Sequence, residues 1–274
     1  MATEAISYER MHLNLKKLGL SSISEVVDSA LESAAGKDQS LVEFLDSLLE
    51  AEVSARCERT CEIKIKMARF PFKKTIDSFD FSFQPSVDRK QIRDLLSLRF
   101  LADGVNVVLL GPPGVGKTHL AVAMGMAACQ AGHTAYFTTA TDLVAGLTKS
   151  YTTGTFDAKM HFFGRMSLLI IDEVGYLPLD RQASNLLFQL ISRRYESGSS
   201  VILTSNRGYG EWGTMFSDPV IASAVLDRLL HRSVTINIRG ESYRLKDKRK
   251  AGIIGATKPV ILPPEEQTQA GTAG

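Results

Sequence analysis

Three cysteines and a single tryptophan are scattered through 274 residues, and no apolar run approaches the length of a membrane crossing. A small, odd cysteine count excludes a disulfide framework. Cys57 and Cys61 stand four apart, but no histidine or third cysteine lies near them, so they read as bystander thiols rather than metal ligands. A bilayer helix needs roughly 20 apolar residues, so no membrane association is expected. The opening residues 1–10 lack the basic end and apolar stretch of a secretion signal, which points to the cytoplasm. Zinc-finger spacing and other base-reading motifs are missing as well. Hydrophobic content of 44% and charged content of 23% are those of an ordinary globular chain.

The net charge of +2 conceals strong segregation. Residues 22–52 hold eight acids against Lys37, residues 57–74 six bases against Glu58 and Glu62, and residues 228–250 eight bases against Glu241 and Asp247. Such runs serve either as solvated faces or, for the basic ones, as contacts to a phosphate backbone that follow shape rather than base sequence.

The length suits one α/β core of roughly 180 residues plus a small second module. The N-terminal third reads as helical. Ser22-Ile-Ser-Glu25 and Ser40-Leu-Val-Glu43 each match a capping box, and Gly36 between them suits a left-handed helix stop. Leu41, Phe44, Leu45, Leu48 and Leu49 follow helical spacing. The aromatic alternation Ile76-Asp-Ser-Phe-Asp-Phe-Ser-Phe83 fits either an edge strand or a lead-in beside a ligand.

Gly111-Pro-Pro-Gly-Val-Gly-Lys-Thr118 is the most informative stretch. It satisfies G-x-x-x-x-G-K-[S/T] at every fixed position, between the apolar run 105–110 and a helix-forming segment. Glycines let backbone N–H groups converge on one anion, and the following helix adds its own unpaired N–H groups and dipole. Lys117 supplies a point charge for the β- and γ-phosphates and Thr118 a hydroxyl for Mg²⁺. In Ser167-Leu-Leu-Ile-Ile-Asp-Glu173, a buried strand ends in two carboxylates: Asp172 for the metal and Glu173 as general base toward water. The run 200–206 is a further buried strand, and Asn206 at its end, two strands along from the phosphate loop, is placed to touch the γ-phosphate or the attacking water. Asp218 and Pro219 open a helix with apolar Val220, Ile221, Ala224, Val225 and Leu229. Arg228 on that helix is either a surface ion-pair partner of Asp227 or an arginine that reaches a nucleotide on a neighbouring subunit. Residues 141–166 leave room for two short helices, the first capped by Thr141 or Asp142.

The phosphate loop, the Asp172-Glu173 pair, the Thr204-Ser205-Asn206 strand end and Leu226-Asp-Arg-Leu-Leu-His-Arg232 together resemble the AAA+ ATPase superfamily. With Thr204-Ser-Asn-Arg207, Glu211-Trp212-Gly213 and Arg239-Gly-Glu-Ser-Tyr-Arg244, the chain more narrowly resembles the IstB-like transposition helper ATPases of bacterial insertion sequences, kin of the replicative helicase loaders. The resemblance runs from about residue 5 to 250 and implies a P-loop AAA+ core, an α/β fold with a parallel sheet flanked by helices. A small all-α domain over 1–72 would precede the ATPase domain at 73–250, and the tail 251–274 would be disordered.

The same resemblance implies ATP held by Gly111, Pro112, Pro113, Gly114, Val115, Gly116, Lys117, Thr118 and His119, and Mg²⁺ held by Thr118 and Asp172. Lys117, Glu173, Asn206 and Arg228 would be catalytic, Arg228 across a subunit interface. Lys149, Lys159 and Arg165 would touch the DNA backbone. The implied partners are DNA, recognised largely without regard to sequence, a transposase, and further copies of the chain joined through ATP-containing interfaces. Helicase loading is the alternative role. One departure stands out: after Arg244 the chain leaves no room for the helical lid most AAA+ proteins carry, and whether Arg244 replaces the lid's arginine is open.

Overall fold

Five short strands pair into one all-parallel sheet in the computed structural model, which describes residues 2–246 apart from 37–38 and 176–177, with side chains from residue 6. The chain divides into a unit over Met1–Ile63 and a second from Lys64 onward, where the sequence reading puts the division at 72–73.

The first unit consists of α1 (Ala2–Lys17), α2 (Ser21–Ala35) and the greater part of α3 (Leu41–Met67). Ile23, Val27 and Leu48 form its small core, with Met11, Leu15 and Phe44 against them. At the start of α3 the capping box is present: Ser40 N–H donates to Glu43 Oε2 at 3.0 Å, and Glu43 N–H donates to Ser40 Oγ at 3.2 Å. The other expected box is not. The residue before α2 is Leu20, which has no capping side chain, and the N–H groups of Ser22 and Ile23 donate instead to Glu52 Oε2 on α3. A tertiary carboxylate satisfies the orphan donors of a first turn that starts before Ser22 instead of being capped by it. Gly36 ends α2 with φ −93°, in the right-handed region rather than the left-handed one.

The second unit begins with the end of α3 and continues through α4 (Arg89–Leu96) and α5 (Arg99–Ala102) to β1 (Asn106–Leu110) and α6 (Lys117–Gln130). β2 (Ala135–Thr139), α7 (Ala140–Thr152), α8 (Phe156–Arg165) and β3 (Leu168–Val174) follow. Then come α9 (Arg181–Glu196), β4 (Ser200–Ser205), α10 (Tyr209–Trp212), α11 (Pro219–Leu230) and β5 (Ser233–Asn237). The sheet order is β2-β3-β4-β1-β5. β4 is thus the direct neighbour of β1, with Ser205 opposite Leu110, rather than two strands away.

Strand alternation divides the core in two. Val107, Leu109, Leu168 and Ile170 face α6, whereas Val108, Leu110, Leu169 and Ile171 face the layer containing α7, α8, α9 and α11. α6 buries nine residues because it is apolar nearly all round. The two helices expected between β2 and β3 are present, but α7 is capped by Thr139, whose Oγ1 accepts from Asp142 N–H at 3.0 Å. Asp218 caps α11 with Pro219 in its first turn. The buried face of α11 is Ala222, Val225 and Leu229, while Val220 is 76% exposed. Residues 76–83 are not a strand: Ile76–Ser78 form a 3₁₀ turn, and Phe79 turns into the core. The expected disordered tail lies outside the described residues, as does any lid beyond Lys246.

Candidate functional site

Because all five strands run the same way, their C-terminal ends share one edge, the edge where open α/β sheets gather ligands. β1 delivers the phosphate loop there. Gly114 and Gly116 adopt φ +83° and +101°, which L side chains rarely take. A Cβ on Gly114 would stand 2.0 Å from Ser242 Oγ, and one on Gly116 would stand 2.7 Å from a Phe79 ring carbon. The loop is therefore both bent and overlaid by neighbours that leave no space for side chains.

Pro113 to His119 line a cavity of about 240 Å³, together with Phe72, Lys74, Ser78, Phe79, Asp80, Gln84, Glu173, Asn206 and Arg244. Gly111 and Pro112 do not face the cavity. Their carbonyls accept from Lys117 Nζ, at 2.7 and 2.8 Å. Burial pushes the Lys117 ammonium down to about 8; Asp172 and Glu173 oppose that shift, and Arg244 adds to it. A cation so far desolvated favours an anion beside it.

Thr118 Oγ1 donates to both oxygens of Asp172, at 3.0 and 3.1 Å, and Thr204 Oγ1 donates to Asp172 Oδ1. Asp172 is buried, and the next residue, Glu173, is exposed. A break in the β3–β4 register explains the difference: pairing runs to Ile171–Leu203 and resumes at Val174–Ser205. Glu173 occupies the irregularity with φ +62°, its N–H donating to Thr204 Oγ1 at 3.0 Å. The strand thus seals one carboxylate inside and turns the other into the cavity. Asn206 lines the same cavity, and its buried Oδ1 has no hydrogen-bond partner. Unpaired buried acceptors are costly, so a site that supplies a donor to Oδ1 suits this residue.

The residues present fit a Mg²⁺-bound nucleoside triphosphate and a water beside it: a hydroxyl beside a carboxylate for the metal, an ammonium and a guanidinium for phosphates, and an unpaired amide oxygen that accepts from water. At the far end, His119 Nε2 lies 3.0 Å from Thr75 O and 3.1 Å from Ser78 Oγ, and its ring meets Phe79 edge-on. These aromatics form the apolar wall that a base would need. A second cavity, of about 270 Å³, borders the other side of Glu173, but its lining is mostly apolar and has no Lys or Arg among the described residues.

Arg228 is not in this cavity. Its Nη1 donates to Ala224 O at 3.0 Å, its guanidinium lies over the Phe188 ring, and it sits with Asn106 and Val201 at the opposite strand ends. Among the described residues Arg228 has no ion pair with Asp227. Lys149 and Arg165 are exposed on α7 and α8, whereas Lys159 is half-buried with Nζ over the Phe163 ring. Thr204 and Gln84 escaped the sequence reading. The polar strand end Thr204-Ser205-Asn206 carried a signal for the first; nothing local marked the second.

A glycine loop on β1, a lysine and threonine opening α6, and an acid pair ending the adjacent β3–β4 pair define a nucleotide-binding core of the P-loop type. The pattern of the IstB-like ATP binding protein family matches residues 13–251, and the chain belongs to that family. It is 48% identical over 240 residues to a Pseudomonas aeruginosa protein named as an ATP-binding protein of insertion sequence IS21, covering 88% of this chain and 90% of that one. It is 47% identical over 241 residues to the Geobacillus stearothermophilus counterpart named for IS5376, covering 88% and 96%. Among solved structures the fold matches AMPPCP-bound DnaA from Aquifex aeolicus, with TM-score 0.52 and 21% identity over 69% of this chain and 59% of that one. It also matches DnaI, with TM-score 0.52 and 19% identity over 61% and 91%. These two likenesses concern the fold alone.

Proposed function

We propose that the protein is a Mg²⁺-dependent ATPase of the cytoplasm that assembles on DNA through nucleotide-bearing subunit interfaces and assists a transposase. The observation that supports this most directly is the meeting, in one cavity, of Lys117, Thr118 with its partner Asp172, outward-turned Glu173 and unpartnered Asn206. The insertion-sequence names of the curated relatives supply the transposition context.

In this reading the N–H groups of the loop and of the first turn of α6 bind the phosphates. Lys117 exchanges the carbonyls of Gly111 and Pro112 for phosphate oxygens. Thr118 and Asp172 hold Mg²⁺, whose charge offsets that of the phosphate tail. Glu173, free of any strand pairing, takes a proton from water, and Asn206 fixes that water or the terminal phosphate. Strands of about five residues span roughly 16 Å, so Arg228 at the other edge acts on the nucleotide of an adjoining copy. The triphosphate state then completes an interface that hydrolysis dissolves. Lys149 and Arg165, joined by Lys159 once it leaves the Phe163 ring, meet the DNA backbone without reading bases. The N-terminal helices form a domain of their own ahead of the ATPase core.

Glu173→Gln tests the assignment. ATP binding should persist and the oligomer should stay on DNA, while hydrolysis falls by roughly 10²–10⁴. Full turnover in that variant would refute the role of Glu173. Pull-downs with a transposase encoded beside the gene and with the replicative helicase separate the proposed role from helicase loading.

A further inference from the structure

After β5 the chain passes over the phosphate loop and meets the segment that precedes α4. Ile238 N–H donates to Leu110 O at 2.8 Å, and Tyr243 N–H donates to Gly114 O at 2.9 Å. Between these anchors the two segments are stitched together. Ser86 Oγ donates to Arg239 O at 2.7 Å, Arg239 N–H donates to Ser86 Oγ at 2.9 Å, and Gln84 Nε2 donates to Glu241 O at 2.9 Å. The stitching ends in an ion pair, Lys246 Nζ to Asp80 Oδ2 at 2.7 Å, with both side chains about three-quarters shielded. Asp80 is itself fixed by Phe83 N–H at 3.0 Å and by Ser82 Oγ. The Lys246 ammonium lies over the rings of Phe83 and Tyr243, at 5.0 and 4.7 Å. Arg244, the one cation this segment sends into the cavity among the described residues, stands between the Tyr243 anchor and the Lys246 anchor.

Arginine is a long side chain with much rotamer freedom to lose. Holding its backbone at both sides removes much of that cost before any phosphate arrives. Surface ion pairs usually contribute little, but this one is shielded, lies over two aromatic rings and is bonded to a carboxylate with two further donors. Its mechanical effect is to join the base-side wall, through Phe79 and Asp80, to the phosphate side, through Arg244.

We infer that Asp80 and Lys246 are positioning residues that hold Arg244 against the terminal phosphate, so that the protein distinguishes a nucleoside triphosphate from a diphosphate. The inference rests on the ATPase reading of the same cavity. A merely structural clip would lower stability or weaken all nucleotides alike. A positioning clip acts on the triphosphate alone.

The test measures affinities of the full-length protein for ADP and for a non-hydrolysable ATP analogue, by calorimetry with Mg²⁺, alongside thermal melting. Lys246→Met keeps the stem on the rings and removes the charge, and Asp80→Asn keeps acceptors for Phe83 and Ser82. Each should weaken the analogue about tenfold and ADP less than about twofold, the scale of one charged hydrogen bond. Arg244→Ala should match them, and adding Lys246→Met to it should change nothing more. Lys246→Arg should restore the preference. An unchanged affinity ratio in both clip variants, an equal loss for the two nucleotides, a parent-like ratio in Arg244→Ala, or clip variants that no longer fold would each overturn the inference while leaving the ATPase reading in place. A parent protein that binds neither nucleotide would overturn both.

Discussion

The two edges of the sheet use polar side chains in opposite ways. At the N-terminal ends of the strands, Arg194 is 1% exposed and delivers its terminal nitrogens to three carbonyls, those of Phe163, Met166 and Ser200, at 2.6 to 3.0 Å. Asn106 donates to Leu229 O and accepts from Val201 N–H, and Ser200 Oγ donates to Phe100 O. Apart from Arg194 Nε, which has no partner among the described residues, these groups are consumed in tying β1, β4, α5, α8, α9 and α11 together. At the C-terminal ends, Glu173 is turned outward, Asn206 Oδ1 is unpartnered, and Lys117 rests on carbonyls of its own loop. Polar groups that satisfy one another stabilise a fold; those left poised toward a cavity are available to a ligand.

The strongest way to break this comparison is Arg228, which lies at the stabilising edge yet is proposed to act in catalysis. Arg228→Ala should lower hydrolysis by about 10³ in assembled protein, with little change in melting temperature and none in the affinity of one subunit for ATP. The parent's specific activity should rise with protein concentration; a concentration-independent rate would remove the need for an arginine in trans. Next, Arg194→Met should cost about 3 kcal/mol in denaturant unfolding, because three buried carbonyls lose a donor, while ATP affinity per folded molecule holds. Lys117→Ala should do the reverse, weakening ATP about 100-fold with an unchanged unfolding midpoint. The smallest effect sharpens the comparison. Thr139 sits at the nucleotide edge of β2 but is occupied in capping α7. Thr139→Ala should cost about 1 kcal/mol and leave nucleotide affinity untouched.

What could be read in advance followed from the range of each interaction. The phosphate loop, the strand before it and the Asp172-Glu173 end depend on neighbours within a few residues, and their spacing announces them. The capping box at Ser40 is equally local. Ser22 misled because its competitor, Glu52, lies 30 residues further along the chain. Val220 has the right residue type for the buried face of α11, but the rotation of that helix is set by what packs on it. Residues 76–83 alternate like a strand, yet Phe79 has a better use covering Gly116. Gln84 and Asp80 were invisible as site builders because their partners are 157 and 166 residues away.

That last separation has a temporal consequence. During translation the chain emerges in order, and domains form as units as they leave the ribosome. The first three helices can pack while the rest is still being made. The walls around the phosphate loop, by contrast, are finished only when Lys246 appears opposite Asp80. A nascent chain therefore closes the Arg244 side of the cavity only after residue 246 has left the ribosome, well after the phosphate loop itself has been made.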